Sequence, residues 1–180
     1  MRTKNVKLWN HINANLKDFE IRAGWFENSL YDDNTPIAGI AAIQNYGAHI
    51  KAAEKFKNYL HAIGIHLKKD KGEFIIPPRP FMDNARKRVE GQEGKEMLMQ
   101  EVLRVFEGRQ TMEQAAKRLG LWCQGVIQEE LRKIETPELS EATIKLRNAK
   151  YVSKSKRKST KPLVATGLML ETVQSKVTMK

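Results

Sequence analysis

Residues 75–82 read Ile75-Ile76-Pro77-Pro78-Arg79-Pro80-Phe81-Met82 and hold three of the chain's six prolines. Each proline fixes φ near about −65°, lacks an N–H, and biases the residue before it toward extended geometry. The stretch is therefore stiff backbone that belongs to neither a helix interior nor a central strand. Apolar anchors flank a single guanidinium, Arg79. Upstream, Glu73-Phe74-Ile75-Ile76 reads as a strand; downstream of Phe81 the pattern turns helical. A strand tied rigidly to a helical half predicts an α+β fold, with a small mixed or antiparallel sheet packed against a long helix in the C-terminal half and several shorter helices.

Working toward the C-terminus, residues 83–89 continue as a short helix and 92–106 as another, burying Leu98, Val102 and Val105 (or Phe106), with Gly108 as its breaker. Thr111-Met112-Glu113-Gln114 is a capping-box sequence. It opens the longest helix, whose stripe of Met112, Ala115, Leu119, Trp122, Val126 and Ile134, widened by Cys123 and Ile127, marks the core spine. Ser140 begins a short helix through Ile144 to about Asn148. Thr166-Gly167 reads as a tight turn or helix start, and residues 173–179 alternate like a terminal strand.

Toward the N-terminus, residues 48–72 read as an elaboration, with a helix over 52–63 through Phe56, Tyr59, Leu60 and Ile63 and a charged turn at 68–72. Thr35-Pro36 predicts a helix start with Thr35 as cap and Pro36 at the first helical position. Ile37, Ile40, Ala41 and Ile43 (or Gln44) form its buried stripe, and Gly47 suits a left-handed stop. This helix carries no charge, and its small residues Ala38, Gly39, Ala41 and Ala42 predict close packing on more than one side. Residues 27–34 are a polar loop, and Phe19, Ile21 and Ala23 alternate with Glu20 and Arg22 as a half-buried strand. Val6, Trp9, Ile12 (or Asn13) and Leu16 fall at helical spacing. We expect one domain over 1–180, with the elaboration at 48–72 and a mobile basic loop at 149–161.

The chain offers little for catalysis. Cys123 is the single cysteine, which excludes an intrachain disulfide and a cysteine-based zinc site. His11, His49, His61 and His66 do not form a metal-binding pattern, and no nucleophile elbow, phosphate loop or dinucleotide fingerprint is present. Asp32 and Asp33 sit in a turn, where aspartate is favoured for backbone reasons. No enzyme activity, cofactor or metal is expected. No apolar run approaches the roughly 20 residues that span a bilayer, and no leader-like segment follows the basic start, so a soluble, unexported protein with no membrane partner is expected.

Charge is the distinctive bulk property. With 32 Lys and Arg against 21 Asp and Glu the net charge is +11, which favours a polyanionic partner, nucleic acid or acidic protein. The excess is densest from Lys145 to Lys161, where Lys145, Arg147, Lys150, Lys154, Lys156, Arg157, Lys158 and Lys161 meet no acid. Such a run can give salt-dependent, sequence-independent affinity for phosphates. It can equally order against an acidic neighbour in an assembly.

Several segments together resemble a known family. Residues 37–47, ending Gln44-Asn45-Tyr46-Gly47, resemble the helix ending in Asn-Glu-aromatic-Gly of tailed-bacteriophage tail completion proteins, the minor tail or neck proteins of the lambda type. Residues 76–82 resemble that family's Ile-Pro-x-Arg-Pro-Phe motif. Residues 139–144 and 161–170 resemble its Leu-Ser-x-x-Thr segment and its Lys-Pro-Leu-x-x-Thr-Gly-x-Leu segment. The order agrees from about Gly24 to Val177, although Asn45-Tyr46 stands where the family has an acid and then an aromatic.

The resemblance implies a virion structural protein at the head-proximal end of the tail. It implies a ring, expected to be a hexamer, between the tail tube or tail terminator protein and the head connector, with non-specific contact to genomic DNA in the channel. It marks Asn45, Tyr46, Arg79, Phe81, Thr166 and Gly167 as assembly candidates; charge marks Lys150, Lys154, Lys156, Arg157, Lys158 and Lys161 as contacts for nucleic acid or an acidic partner. The alternative expectation is a sequence-independent nucleic-acid-binding protein that uses residues 145–161.

Overall fold

A computed structural model describes residues 18–51, 53–62, 72–148, 161–164 and 167–179. In chain order the elements are β1 (Phe19–Gly24), α1 (Ile37–Tyr46), β2 (Ala48–Lys51), α2 (Glu54–Ala62), β3 (Glu73–Ile76), α3 (Phe81–Glu90), α4 (Gln92–Phe106), α5 (Met112–Lys133), α6 (Glu141–Asn148), α7 (Leu168–Glu171) and β4 (Gln174–Met179). The fold is α+β, as the sequence predicts. The strands, however, form two antiparallel two-stranded sheets, β1–β4 and β2–β3, where one small sheet was expected.

The chain divides into two compact units, each assembled from separated segments. The first takes Met1–Phe26, Asp83–Glu129 and Val173–Lys180. In it β1 pairs with β4 from Phe19↔Met179 to Gly24↔Gln174. Phe19 and Met179 pack on a cluster of Val105, Met112 and Ala115, so this sheet lies against α4 and α5. Gly120 permits the approach: a Cβ there would stand 3.2 Å from Ser175 Oγ and 3.4 Å from Val177 Cγ2. Ala116, Leu119, Val126 and Ile127 continue the buried stripe of α5.

The capping box forms reciprocally, with Thr111 N donating to Gln114 Oε1 at 3.0 Å and Gln114 N to Thr111 Oγ1 at 3.2 Å. α4 ends at Phe106, and Gly108 has a positive φ of 72°, as expected of the breaker. A tight α3–α4 junction depends on Gly94, where any Cβ would overlap the Val89 carbonyl.

The face that α4 buries corrects the sequence reading. Leu98 is 45% exposed and Phe106 also faces out, while Glu101 is 1% exposed beside buried Gly94 and Val105. Glu101 is stable inside because Gln110 Nε2 donates to Oε2 at 2.7 Å and Arg104 Nη1 to Oε1 at 2.6 Å. Ile134 falls one residue past the end of α5, off the helical stripe.

The second unit takes Glu27–Met82 and Glu130–Thr172. β2 and β3 pair from Ala48↔Ile76 to Lys51↔Glu73. Residues 48–51, read from sequence as the start of an elaboration, are thus a strand that partners the expected strand at 73–76. Thr35 is not the cap of α1. Pro36 occupies the N-cap position at φ −64°, ψ 123°, and no side chain caps the helix. Ser29 O accepts the Ile37 N–H at 2.9 Å, and Thr35 instead donates its own N–H to Asp33 Oδ1 at 3.0 Å.

α1 buries Ile37, Ala41 and Asn45 at four-residue intervals, leaving Ala38, Gly39 and Ala42 exposed where packing on a second side was expected. Ser140 caps α6 through its Oγ, 3.3 Å from Thr143 N. The expected helix at 4–16, the ends of the 52–63 helix, the basic stretch 149–160 and Thr166 lie outside the described residues.

Candidate functional site

The site builds up from the proline stretch. Pro77, Pro78 and Pro80 offer no N–H, so only three backbone donors remain between 77 and 82. Each is satisfied: Arg79 N donates to Gln44 O at 2.8 Å, Phe81 N to Arg79 O at 2.7 Å, and Met82 N to Asn45 Oδ1 at 2.9 Å. The stretch is thereby clamped to the C-terminal end of α1. Gly47 lets the chain turn back there, at φ 76° and ψ 171°. This is the mirror-extended region reserved for glycine, not the left-handed helical stop that the sequence suggests. A Cβ at Gly47 would stand 2.7 Å from Ile76 O and 3.0 Å from Pro78 N.

Arg79 turns inward from this clamp and is 3% exposed. Its Nε and Nη2 donate to Pro137 O at 3.0 and 2.8 Å, Nη2 also to Glu138 O at 3.3 Å, and Nη1 to Gln44 Oε1 at 3.1 Å. Among the described residues no carboxylate pairs with it. The cation rests on carbonyl dipoles, and burial pushes its pKa down. The planar fork suits carbonyls converging from two chain segments, which a lysine ammonium cannot match.

Beside it lies Arg147 of α6, whose Nη1 donates to Lys161 O at 2.8 Å. Burial first, and the Arg79 charge second, lower its pKa. The two guanidiniums share an open cleft of about 520 Å³. Its walls are Ile40, Ile75, Ile76, Pro77, Leu139, Leu163 and Met169, with Tyr31, Gln44, Glu138, Ser140 and Thr143 as further polar groups.

The candidates from sequence fall in different places. Arg79, Phe81 and Asn45 are buried in the second unit, where they hold its geometry. Tyr46 is 72% exposed at the end of α1. Gly167 is buried at φ 82° and starts α7, its carbonyl accepting from Leu170 N and Glu171 N. Lys161 is exposed, with Nζ 3.2 Å from Glu135 Oε1. Lys150, Lys154, Lys156, Arg157, Lys158 and Thr166 are outside the described residues.

Sequence reasoning missed the carbonyls of Pro137 and Glu138, because a backbone acceptor leaves no side-chain signature. It also missed the cleft face of α6. The spacing of Ser140, Thr143 and Arg147 was the available signal, since it puts the three on one helical side.

Asp33 acts as a turn residue: the Thr35 N–H bond lowers its pKa. Burial raises the Cys123 thiol. Among the described residues no three His, Cys, Asp or Glu gather as a metal site, and no helix is long and apolar enough to cross a membrane. No protein-family model, curated protein or solved structure matches the chain.

Proposed function

We propose that this chain is a structural protein of a tailed-phage virion, a tail completion or neck component. It would form a ring at the head-proximal end of the tail and join tail to head by docking between proteins around the DNA channel. One observation carries the reading. The segments that bear the family resemblance, 37–47, 76–82, 139–144 and 161–170, all supply residues to the Arg79 cleft. Two of them, 37–47 and 76–82, are far apart in sequence yet are tied through one guanidinium and one asparagine, at Gln44, Asn45, Arg79 and Met82, and Arg79 also holds the 137–138 carbonyls just before the third. A buried polar knot of this kind holds a rigid subunit and places no reacting groups, which suits assembly. The charge-free α1 with exposed Ala38, Gly39, Ala42 and Tyr46 suits close subunit contact.

Deleting the gene from the phage that carries it tests the proposal. Filled heads and finished tails should accumulate unjoined, and purified chain should restore joining. Normal joining without the chain would overturn it.

The net charge of +11 and the run 145–161 support a second reading, sequence-independent nucleic-acid binding. That reading requires affinity for random duplex DNA to fall with salt at a log–log slope near about −0.9 per neutralised phosphate. Absence of binding at about 150 mM salt, a condition at which surface charge is screened beyond roughly 8 Å, with ring formation on mixing with tail components, would favour the assembly reading.

A further inference from the structure

We infer that the outer side of α4 is the docking face for residues 4–16 of a second copy of this chain. Leu98, Met99, Leu103 and Phe106 are exposed there, Met99 to 60% and Leu103 to 51%, with half-buried Val102 among them. At about 3.6 residues per turn these five share one side of the helix, while Gly94, Glu101 and Val105 lie on the buried side. Single exposed apolar residues are ordinary, but a stripe that continues over successive turns marks an interaction surface. The stripe is exposed in the single chain, so its cover comes from another molecule.

Charge selects the occupant. Glu96, Leu103 and Glu107 fall on one flank by helical spacing, so an exposed acidic row borders the stripe. Gln92 Nε2 donates to Glu96 Oε1 at 2.8 Å and Arg109 Nη1 to Glu107 Oε2 at 3.2 Å. Such exposed contacts are weak and leave both carboxylates open to a further cation. Of the cations on α4, Arg104 is taken up by Glu101 and Lys95 stands at the start of the stripe. A two-fold pairing of α4 with itself brings the two acidic rows together, because a dyad joins like flanks, and is disfavoured. Residues 1–17 are the complement: they carry Arg2, Lys4, Lys7 and Lys17 and no acid, with Val6, Trp9, Ile12 and Leu16 at helical spacing. As a helix, residues 4–16 measure about 20 Å, against about 22 Å for the 15 residues of α4. Each copy offers one segment and one face, so the contact is heterologous and passes from copy to copy, as a ring requires.

That this contact builds a virion ring rests on the assembly reading; its test needs only the purified full chain. Leu103→Glu spoils the face and Trp9→Asp the segment, with circular dichroism to confirm that both fold. In analytical ultracentrifugation the wild type should associate beyond a dimer, and each variant alone should lose that association. An equimolar mixture of the two should recover pairs and nothing larger, since one intact face and one intact segment remain. A labelled peptide of residues 1–17 keeps the test valid should a variant fail to fold. It should bind the wild type and lose at least about tenfold in affinity for Met99→Glu, whose exposed side chain is replaced. A monomeric wild type, variants that associate as the wild type does, a mixture that recovers no pairs, or a peptide that binds Met99→Glu as well as the wild type would overturn the inference. Association that ignores both variants, in a chain found at the head–tail joint, refutes this contact alone; association that depends on them, in a chain absent from virions, refutes the assembly reading alone.

Discussion

At the scale of the residue, Arg79 is the side chain on which the second unit depends. Replacing it with alanine leaves the Pro137 and Glu138 carbonyls and the Gln44 amide without the donor that a buried guanidinium supplies. Hydrogen bonds from a charged group are worth about 1.5–3 kcal/mol each, with strong overlap between them. Arg79→Ala should therefore cost about 3 kcal/mol in urea unfolding, and Arg79→Lys should recover less than half. A variant as stable as wild type would refute the structural role. Asn45→Ala removes the acceptor of the Met82 N–H and should cost about 2 kcal/mol by the same measurement. Cys123 gives a test by rate. Burial raises its pKa, so less thiolate is present at pH 8, and a disulfide reagent should label the native chain more slowly than the urea-unfolded chain. Equal rates would contradict the half-buried placement.

Elements show how far the sequence could be read. β1, α4, α5 and β4 were legible because their patterns are long or alternating, β3 because a short apolar run leads into the proline stretch, and Thr111 with Gln114 announced the start of α5. β2 was not legible. Ala48–Lys51 has no alternation, and it is a strand because residues 73–76 return across an insertion to pair with it. The buried face of α4 was misread because Glu101 counts as solvent-facing in any apolar pattern; its partner Gln110 lies beyond the helix end, where periodicity says nothing. In the site, the proline stretch and Asn45 carried a signal, while the carbonyl acceptors of Arg79 carried none. At this scale Gly47→Ala is the sharpest test. Its φ of 76° and the 2.7 Å approach to Ile76 O mean that a methyl group must displace the backbone of β3. The loss should be about 3 kcal/mol, the upper end of the cost of such strain. Thr111→Ala in the first unit should cost about 1 kcal/mol, the usual value of an N-cap.

For the whole molecule, the two units are each woven from separate segments, and the four segments that resemble tail completion proteins all contribute to the second. The polar groups of the Arg79 cluster point inward, so in the proposed ring contact with neighbouring subunits would fall to surfaces such as α1 and its exposed Tyr46. Tyr46→Ser should change unfolding by no more than about 0.5 kcal/mol, as surface substitutions do, and should weaken self-association in analytical ultracentrifugation. Unchanged association would remove Tyr46 from the subunit contact. The central proposal is one of place, that this chain sits where tail meets head. Electron cryomicroscopy of virions from the phage that carries the gene, with the chain tagged for labelling, tests that most directly. The account predicts a ring of label confined to the head-proximal end of the tail; virions that lack the chain, or carry it only at the tail tip or inside the head, would contradict it.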